Sequence, residues 1–329
     1  MRILTREEVR QALPMDTAIE AVQDAFIQLS AGQADVPVRT SLDVPRHNGV
    51  TLFMPGYLGS EEQAAPLMAM KIVSVFDDNP EKGLPLIHAL VVAVDAETGA
   101  PTAVMDGTYM TAVRTGAASG VATRLLARDD SRVAAIFGAG VQSRTQLEAV
   151  RAVRPIEEAW IYDIESGRAE TYADEMSERL PLSVRVAASP AEAVERADVI
   201  CTATTSPRPV FESSGVRPGT HINAIGAYTP QMQEIPAETV LRAKVVIDHR
   251  EAALVEAGDL LIPMGKGLMG EDHIYAELGE IAAGEKPGRQ SSQEITLFKS
   301  VGVAVQDVAA AGAVLNTARE LGLGVEVKL

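Results

Sequence analysis

Residues 133–150 read VAAIFGAGVQSRTQLEAV. Val133–Phe137 is an apolar run of β-branched and small residues, the composition of a strand buried on both faces. Gly138-Ala139-Gly140 predicts a tight turn, and residues 141–150 predict a helix with Val141, Leu147 and Val150 on its apolar side. Strand, glycine turn and helix in that order make a phosphate-binding element. Glycine lets the backbone approach a pyrophosphate, and the unpaired N–H groups at the helix start stabilise its charge. Ser143 stands where the dinucleotide fingerprint has its third glycine. It is small enough to pack there, and its hydroxyl is a candidate phosphate contact.

Downstream the alternation continues. Residues 158–163 (EAWIYD) predict a second strand ending in an acid, followed by a helix over 168–180, a strand at 184–186 and a helix around 191–197. Residues 198–203, 221–225 and 244–248 are further strands. Strands alternating with helices imply a parallel, doubly wound sheet. Residues 284–292 form a polar loop, 295–300 a last strand, and 303–322 a small-residue-rich helix expected to return to the first domain. Upstream, Asp16 is the expected N-cap of a helix running to Ser30, with Ile19, Val22, Phe26 and Leu29 as its buried stripe and Gly32 closing it. Residues 50–54, 67–75, 86–94 and 101–105 are short strands separated by Pro-Gly, Asn-Pro and Thr-Gly turns, which suggests an antiparallel sheet. Residues 106–127 read as a helix leading into the nucleotide domain. The expected class is therefore α/β: a Rossmann-type doubly wound parallel sheet over residues 118–303, plus a discontinuous α+β domain from residues 1–117 and 304–329.

The 329 residues suit about two domains, and 47% apolar content is enough to build two cores. A formal charge of −16 argues against nucleic acid or an anionic membrane surface as partner. One cysteine, Cys201, excludes an intramolecular disulfide and fits a reducing compartment. The start, MRILTREEVRQ, has no apolar signal core, and the most apolar short run, residues 84–94, is too short for a bilayer. The expectation is a soluble cytoplasmic protein. His47, His88, His221, His249 and His273 share no metal-ligand spacing, so no metal is expected. No Gly-x-Ser-x-Gly elbow or Lys-Thr phosphate loop occurs, which disfavours hydrolases and nucleoside triphosphatases.

Asp163 is placed to accept hydrogen bonds from an adenosine ribose and to repel a 2′-phosphate, favouring NAD; Arg168 nearby keeps NADP open. Lys71 sits in the otherwise uncharged run LMAMKIV, residues 67–73. Burial would drive its pKa toward neutrality and make it a substrate or proton-transfer group; the alternative is a lysine on an exposed sheet face. Arg114 in TAVRTG and Arg39 in VPVRT are isolated cations, either surface ion-pair partners or bidentate ligands for a substrate carboxylate.

Taken together, MAMKIVSVF around Lys71, YMTAVRTGAAS around Arg114, IFGAGVQSRTQ at the turn, NAIGAYTPQMQEI from Asn223 and GRQSSQEITLFKSVGVAVQD from Gly288 resemble the ornithine cyclodeaminase and mu-crystallin family. The resemblance spans nearly the whole chain. It implies a homodimer whose first domains bind substrate and join their sheets across the interface, with the active site between the two domains of each subunit. It further implies that Arg39, Lys71 and Arg114 bind the substrate carboxylate, and that Lys71 hydrogen-bonds or protonates the reacting centre. The cofactor would lie on Thr115, Gly138, Gly140, Val141, Gln142, Ser143, Asp163, Thr204 and Ala224.

One position departs from the pattern. Cyclodeaminases, and the alanine dehydrogenases resembling them, place a catalytic aspartate where this chain has Tyr228. Tyrosine is a poor general base at neutral pH but can donate a hydrogen bond or line a pocket. Glu234 is a candidate substitute acid, the plainer reading being a helix-start glutamate. The expected function is NAD(P)H-dependent reduction of a C=N bond beside a carboxylate. The alternatives are an NAD-recycling ornithine cyclodeaminase, an alanine dehydrogenase-like enzyme, and a non-catalytic dinucleotide-regulated binding protein.

Overall fold

The computed structural model describes residues 1–59 and 67–328. Two compact units divide the chain: Met1–Arg114 with Val303–Leu329, and Thr115–Gly302.

In the first unit, Thr40–Val44, Gly49–Leu58, Leu67–Phe76, Ile87–Asp95 and Pro101–Asp106 pair antiparallel in chain order. Arg2–Leu4 adds to Pro101–Asp106 in parallel, and Val325–Glu326 pairs with Arg2–Leu4, so both chain ends finish in one sheet. Along Leu67–Phe76 the pleat buries Ala69, Lys71 and Val73 and leaves Met68, Met70 and Ile72 half-buried on the opposite face. The helix Met15–Ser30 buries Ile19, Val22, Phe26 and Leu29, as its spacing requires.

Two local expectations fail here for identifiable reasons. Pro55-Gly56 is not a turn; it lies inside Gly49–Leu58, paired with Met70 and Ala69. Glycine is needed because the helix Ala304–Leu321 crosses close above: a Cβ on Gly56 would meet Val308 Cγ2 at 2.9 Å and Ala304 Cβ at 3.1 Å. Asp16 is not the N-cap either. The helix starts at Met15 after Pro14, and Asp16 falls in its first turn, where a carboxylate complements the helix dipole. An earlier helix, Arg6–Ala12, is closed by a capping box between Thr5 and Glu8.

The second unit holds an all-parallel sheet in the order Ser183–Val186, Glu158–Tyr162, Val133–Phe137, Val199–Thr202, His221–Ala224, Ile295–Lys299, Ala243–Ile247 and Ile274–Glu277. Helices cover both faces, so alternate residues of each strand enter separate cores. Phe137, Ile200, Ile222 and Leu297 pack on one side, and Ile136, Ile161, Tyr172, Met176 and Cys201 on the other. This double burial is why the strands read as continuous apolar runs. The chain leaves Val133–Phe137 in one direction and returns beside it as Val199–Thr202. In doubly wound sheets such a reversal of strand order is where ligands bind at the carboxyl ends of the strands, and here the glycine turn follows Val133–Phe137 at that point. The edge strand Ile274–Glu277 and the short helices Arg250–Glu256 and Gly258–Gly265 before it add to the elements expected from the sequence.

Burial pushes the Cys201 thiol up to about 12, which makes it an inert core residue. His221, bonded to Thr296 and Asn223 in the core, is pulled down by burial to about 3 and is neutral. Among the described residues no helix is long and apolar enough to cross a membrane, and no cluster of His, Cys, Asp or Glu could hold a metal ion.

Candidate active site

The glycine turn in the second unit is built for close backbone approach. Gly138 has φ +93°, and a Cβ there would meet Ala203 O at 2.8 Å. Gly140 begins the helix Val141–Val153 without a side-chain cap, and nothing lies within 4 Å of where its Cβ would project. Val141, expected on the apolar side of this helix, is its first residue and is exposed. The buried Gln142 Oε1 has no hydrogen-bond partner among the described residues. An open glycine, uncapped helix N–H groups and an orphaned amide oxygen together fit a dinucleotide pyrophosphate and its attached sugars.

Asp163 follows the strand Glu158–Tyr162. Its Oδ2 accepts from Ala139 N at 2.7 Å and its Oδ1 from Glu165 N at 2.9 Å. The carboxylate therefore fixes the turn, and its remaining lone pairs are what a ribose hydroxyl could use. Arg168 pairs with Glu165 at the surface. Ser143 corrects an expectation: it is fully buried, and its hydroxyl donates inward to Gly140 O at 2.6 Å, which leaves no proton for a phosphate. It fills the third-glycine position as a packing residue.

Arg144 went unnoticed in the sequence, where a cation on an amphipathic helix reads as solvated. It donates to Ala139 O at 2.9 Å and Gly140 O at 2.8 Å, while Glu175 and the Tyr172 ring hold its guanidinium. Thr115 offers its carbonyl to Gln146, and Ala224 is buried at the end of His221–Ala224. Thr204 is tied to Glu234. Glu234 is no helix-start residue: it is wholly buried, and the next helix begins only at Ala237. Tyr228 is partly exposed on the loop that follows His221–Ala224.

In the first unit, Lys71 is buried, not on an open sheet face. Its Nζ lies 2.8 Å from Asp307 Oδ2, and Arg114 Nε lies 3.0 Å from Asp307 Oδ1. Arg114 also donates to Gln306. Burial pulls Lys71 down from 10.5 to about 7; Arg114 and Arg39 act in the same direction and Asp307 opposes them. Arg39, half-buried just before Thr40–Val44, is thus an electrostatic neighbour of the cluster. Asp307 was missed as a site residue, although it is the one acid in the apolar stretch from Val303 to Leu315. That is the same kind of signal that singled out Lys71.

A doubly wound sheet with an open glycine turn, in a chain that also buries a lysine near neutrality beside an arginine, has the features of a dinucleotide-dependent enzyme. The chain belongs to the ornithine cyclodeaminase/mu-crystallin family, whose model matches residues 1–322. It is 39% identical over 329 residues to a Delta(1)-pyrroline-2-carboxylate reductase of Bacillus cereus, covering 100% of both chains. Among solved structures, it is similar to Delta(1)-pyrroline-2-carboxylate reductase of Thermococcus litoralis in complex with NADH and L-proline. That match has 46% identity and a TM-score of 0.95, and covers 99% of this chain and 100% of the other. An archaeal alanine dehydrogenase dimer with bound NAD matches at 39% identity and a TM-score of 0.92, covering 100% of this chain and 99% of the other.

Proposed function

We propose that this protein is an NAD(P)H-dependent reductase of a C=N bond adjacent to a carboxylate. Its substrate class is a cyclic imine such as 1-pyrroline-2-carboxylate, or an imine formed from a 2-oxo acid and an amine, and its product an L-amino or imino acid. The observation that carries this reading is the Lys71–Asp307–Arg114 cluster: two buried cations share one carboxylate, and Arg39 adds positive charge nearby. A surplus of buried cation suits a substrate that brings its own carboxylate. The similarity to the pyrroline-2-carboxylate reductases supports the ring imine as substrate, and L-proline is what its reduction yields.

Each group has a definable task. Gly138, Gly140, Val141 and Gln142 would hold the pyrophosphate region, with Asp163 toward the adenosine ribose and Thr115, Thr204 and Ala224 along the crevice. The bound dinucleotide supplies a hydride to the imine carbon. Arg39 and Arg114 orient the carboxylate through paired N–H donors. Lys71, held near neutrality, donates a hydrogen bond to the imine nitrogen, polarises the C=N bond and delivers the proton that balances the hydride. Asp307 keeps the ammonium charged until that transfer. Tyr228 contributes a hydrogen bond or an apolar wall.

NADH consumption measured with 1-pyrroline-2-carboxylate tests the reading, and its absence with every C=N substrate would sink it. Pyruvate with ammonia is the second substrate to try, because the similarity to an alanine dehydrogenase favours that reaction next. Ornithine-dependent ammonia release without net NADH change would instead indicate a cyclodeaminase, which Tyr228 disfavours. Binding of NADH with no turnover at all would leave a dinucleotide-regulated binding protein. We also propose a cytoplasmic homodimer. The sheet face of the first unit opposite Lys71 carries Met68, Met70, Ile72 and Leu90 incompletely covered, and a second sheet would bury them.

A further inference from the structure

Glu234 lies on the irregular segment before the helix Ala237–Arg242, and none of its surface reaches solvent. Its carboxylate accepts five hydrogen bonds. Oε1 takes Thr204 N at 2.6 Å and Thr204 Oγ1 at 2.7 Å; Oε2 takes Thr202 Oγ1 at 2.9 Å, Gly226 N at 2.7 Å and Ala227 N at 3.0 Å. Thr202 ends the strand Val199–Thr202, and the other donors belong to two different loops, one leaving that strand and the other leaving His221–Ala224. The two strands pair in parallel, so their carboxyl ends lie side by side. Val199–Thr202 also pairs with Val133–Phe137, and the Thr204 loop abuts the glycine turn: a Cβ on Gly138 would stand 3.0 Å from Thr204 Cγ2. A Cβ on Gly226 would collide with Thr204 O and Glu234 Oε1, so glycine is what lets the loops close on the carboxylate.

Beneath this carboxylate sits a second buried charge pair. Lys299 Nζ is 2.9 Å from Asp259 Oδ2, with both side chains fully buried, and Asp259 Oδ1 accepts from Glu234 N at 2.7 Å and Ile235 N at 2.9 Å. Lys299 also donates to Ala227 O at 2.5 Å. Burial and Asp259 push Glu234 above the usual carboxylate value, while Lys299 and the Thr204 donors oppose them. Glu234 is wholly buried and its carboxylate is engaged by the donors of these loops, so it is not placed to be a substrate acid. An apolar side chain could fill its volume at less electrostatic cost. Only an acceptor can fix the directions of three backbone N–H groups from two loops at once.

In a doubly wound sheet the adenosine half of a dinucleotide lies over the strands on one side of the reversal, and the second nucleotide over those on the other. Val199–Thr202 and His221–Ala224 form that second side. We propose that Glu234 is a positioning residue for the nicotinamide half of the dinucleotide, setting the loops that carry Thr204 and Gly226-Ala227-Tyr228. This rests on the reading of the chain as a dinucleotide-dependent reductase.

The test is calorimetric titration of the full-length protein with NADH and with ADP-ribose, which lacks the nicotinamide. Glu234→Gln puts an N–H₂ donor among N–H donors. It is expected to weaken NADH about tenfold while leaving ADP-ribose within about twofold, the scale of a lost charge-assisted hydrogen bond. Thr202→Val removes one donor and keeps the carboxylate; NADH is expected to weaken about threefold, again without ADP-ribose. If Glu234→Gln does not fold, Thr202→Val decides alone. Parallel weakening of both ligands, or no change in either, overturns the proposal. Wild-type protein that binds neither ligand overturns the dinucleotide reading and this inference with it.

Discussion

Lys71 and Asp307 come from opposite ends of the chain, yet Nζ and Oδ2 stand 2.8 Å apart with each side chain 1% exposed. The strand Leu67–Phe76 supplies the cation and the first turns of Ala304–Leu321 supply the anion, so the pair forms only when the C-terminal helix docks on the N-terminal sheet. Such a pair is weak grounds for stability, since well-packed apolar residues would serve as well or better. Its chemical consequence is larger: an ammonium held to about 7 can give up its proton at neutral pH.

Lys71→Met should abolish most of the imine reduction. The side chain fills a similar volume, so no large cavity opens, and Asp307 keeps Arg114 as partner. The stability loss should therefore stay below the ~3–5 kcal/mol of a buried charge left wholly unpaired. Loss of a positioned proton donor should lower kcat by about 10²–10⁴-fold. Lys71→Arg should not restore it, because guanidinium keeps the charge but does not release a proton near neutrality. A near-normal kcat in Lys71→Met, with folding verified by circular dichroism, would remove Lys71 from the chemistry.

The same lysine predicts how stability depends on pH. Its folded-state pKa is about 7, against 10.5 for the free side chain. Between those values the unfolded chain binds the proton and the folded one does not, so unfolding takes up a proton and stability rises with pH. The benefit is complete above 10.5 and is lost as pH falls to about 7. Wild type should therefore gain on Lys71→Met across that window, by an amount on the order of a few kcal/mol. Urea midpoints of the two proteins at matched pH values check this. A wild-type-minus-variant stability that stays flat, or falls as pH rises, contradicts the shifted lysine.

The two glycines of the turn should respond differently. Gly138→Ala forces a side chain into φ +93° and against Ala203 O, so both the melting temperature and NADH affinity should fall. Gly140 has φ −84° and open space ahead of its Cβ. Gly140→Ala should therefore leave the melting temperature within a degree or two, roughly the scale of a neutral surface change. NADH should nevertheless bind at least about tenfold more weakly, since the methyl occupies the space the pyrophosphate needs. Unchanged NADH affinity in Gly140→Ala would place the cofactor elsewhere.

What the sequence disclosed, and what it hid, follows from where each residue's partners lie. The parallel strands were legible because burial on both faces leaves unbroken apolar runs such as Val133–Phe137 and Val199–Thr202. Lys71 stood out because a charge in such a run has no local excuse. Asp307 and Glu234 were harder, because each is explained only by groups far away in the chain: Lys71 and Arg114 for the first, Thr202, Thr204 and Gly226 for the second. Pro55-Gly56 was misread as a turn because its glycine answers a helix hundreds of residues downstream. The Ser143 hydroxyl, a candidate phosphate contact in the sequence, donates instead to the carbonyl three residues before it.

The part that Tyr228 plays can be separated from that of Lys71. If Lys71 delivers the proton, the phenol is an accessory, and Tyr228→Phe should lower kcat by less than about tenfold, the loss of one neutral hydrogen bond. Its KM for 1-pyrroline-2-carboxylate should change by a similar factor, because the phenyl ring still lines the loop after His221–Ala224. A loss of about 10²-fold or more would move the proton-transfer role from Lys71 to Tyr228. Measuring kcat for Lys71→Met, Tyr228→Phe and the double variant separates the two cases. If both residues serve one proton transfer, the double variant is no worse than the poorer single one; if they act independently, the losses multiply.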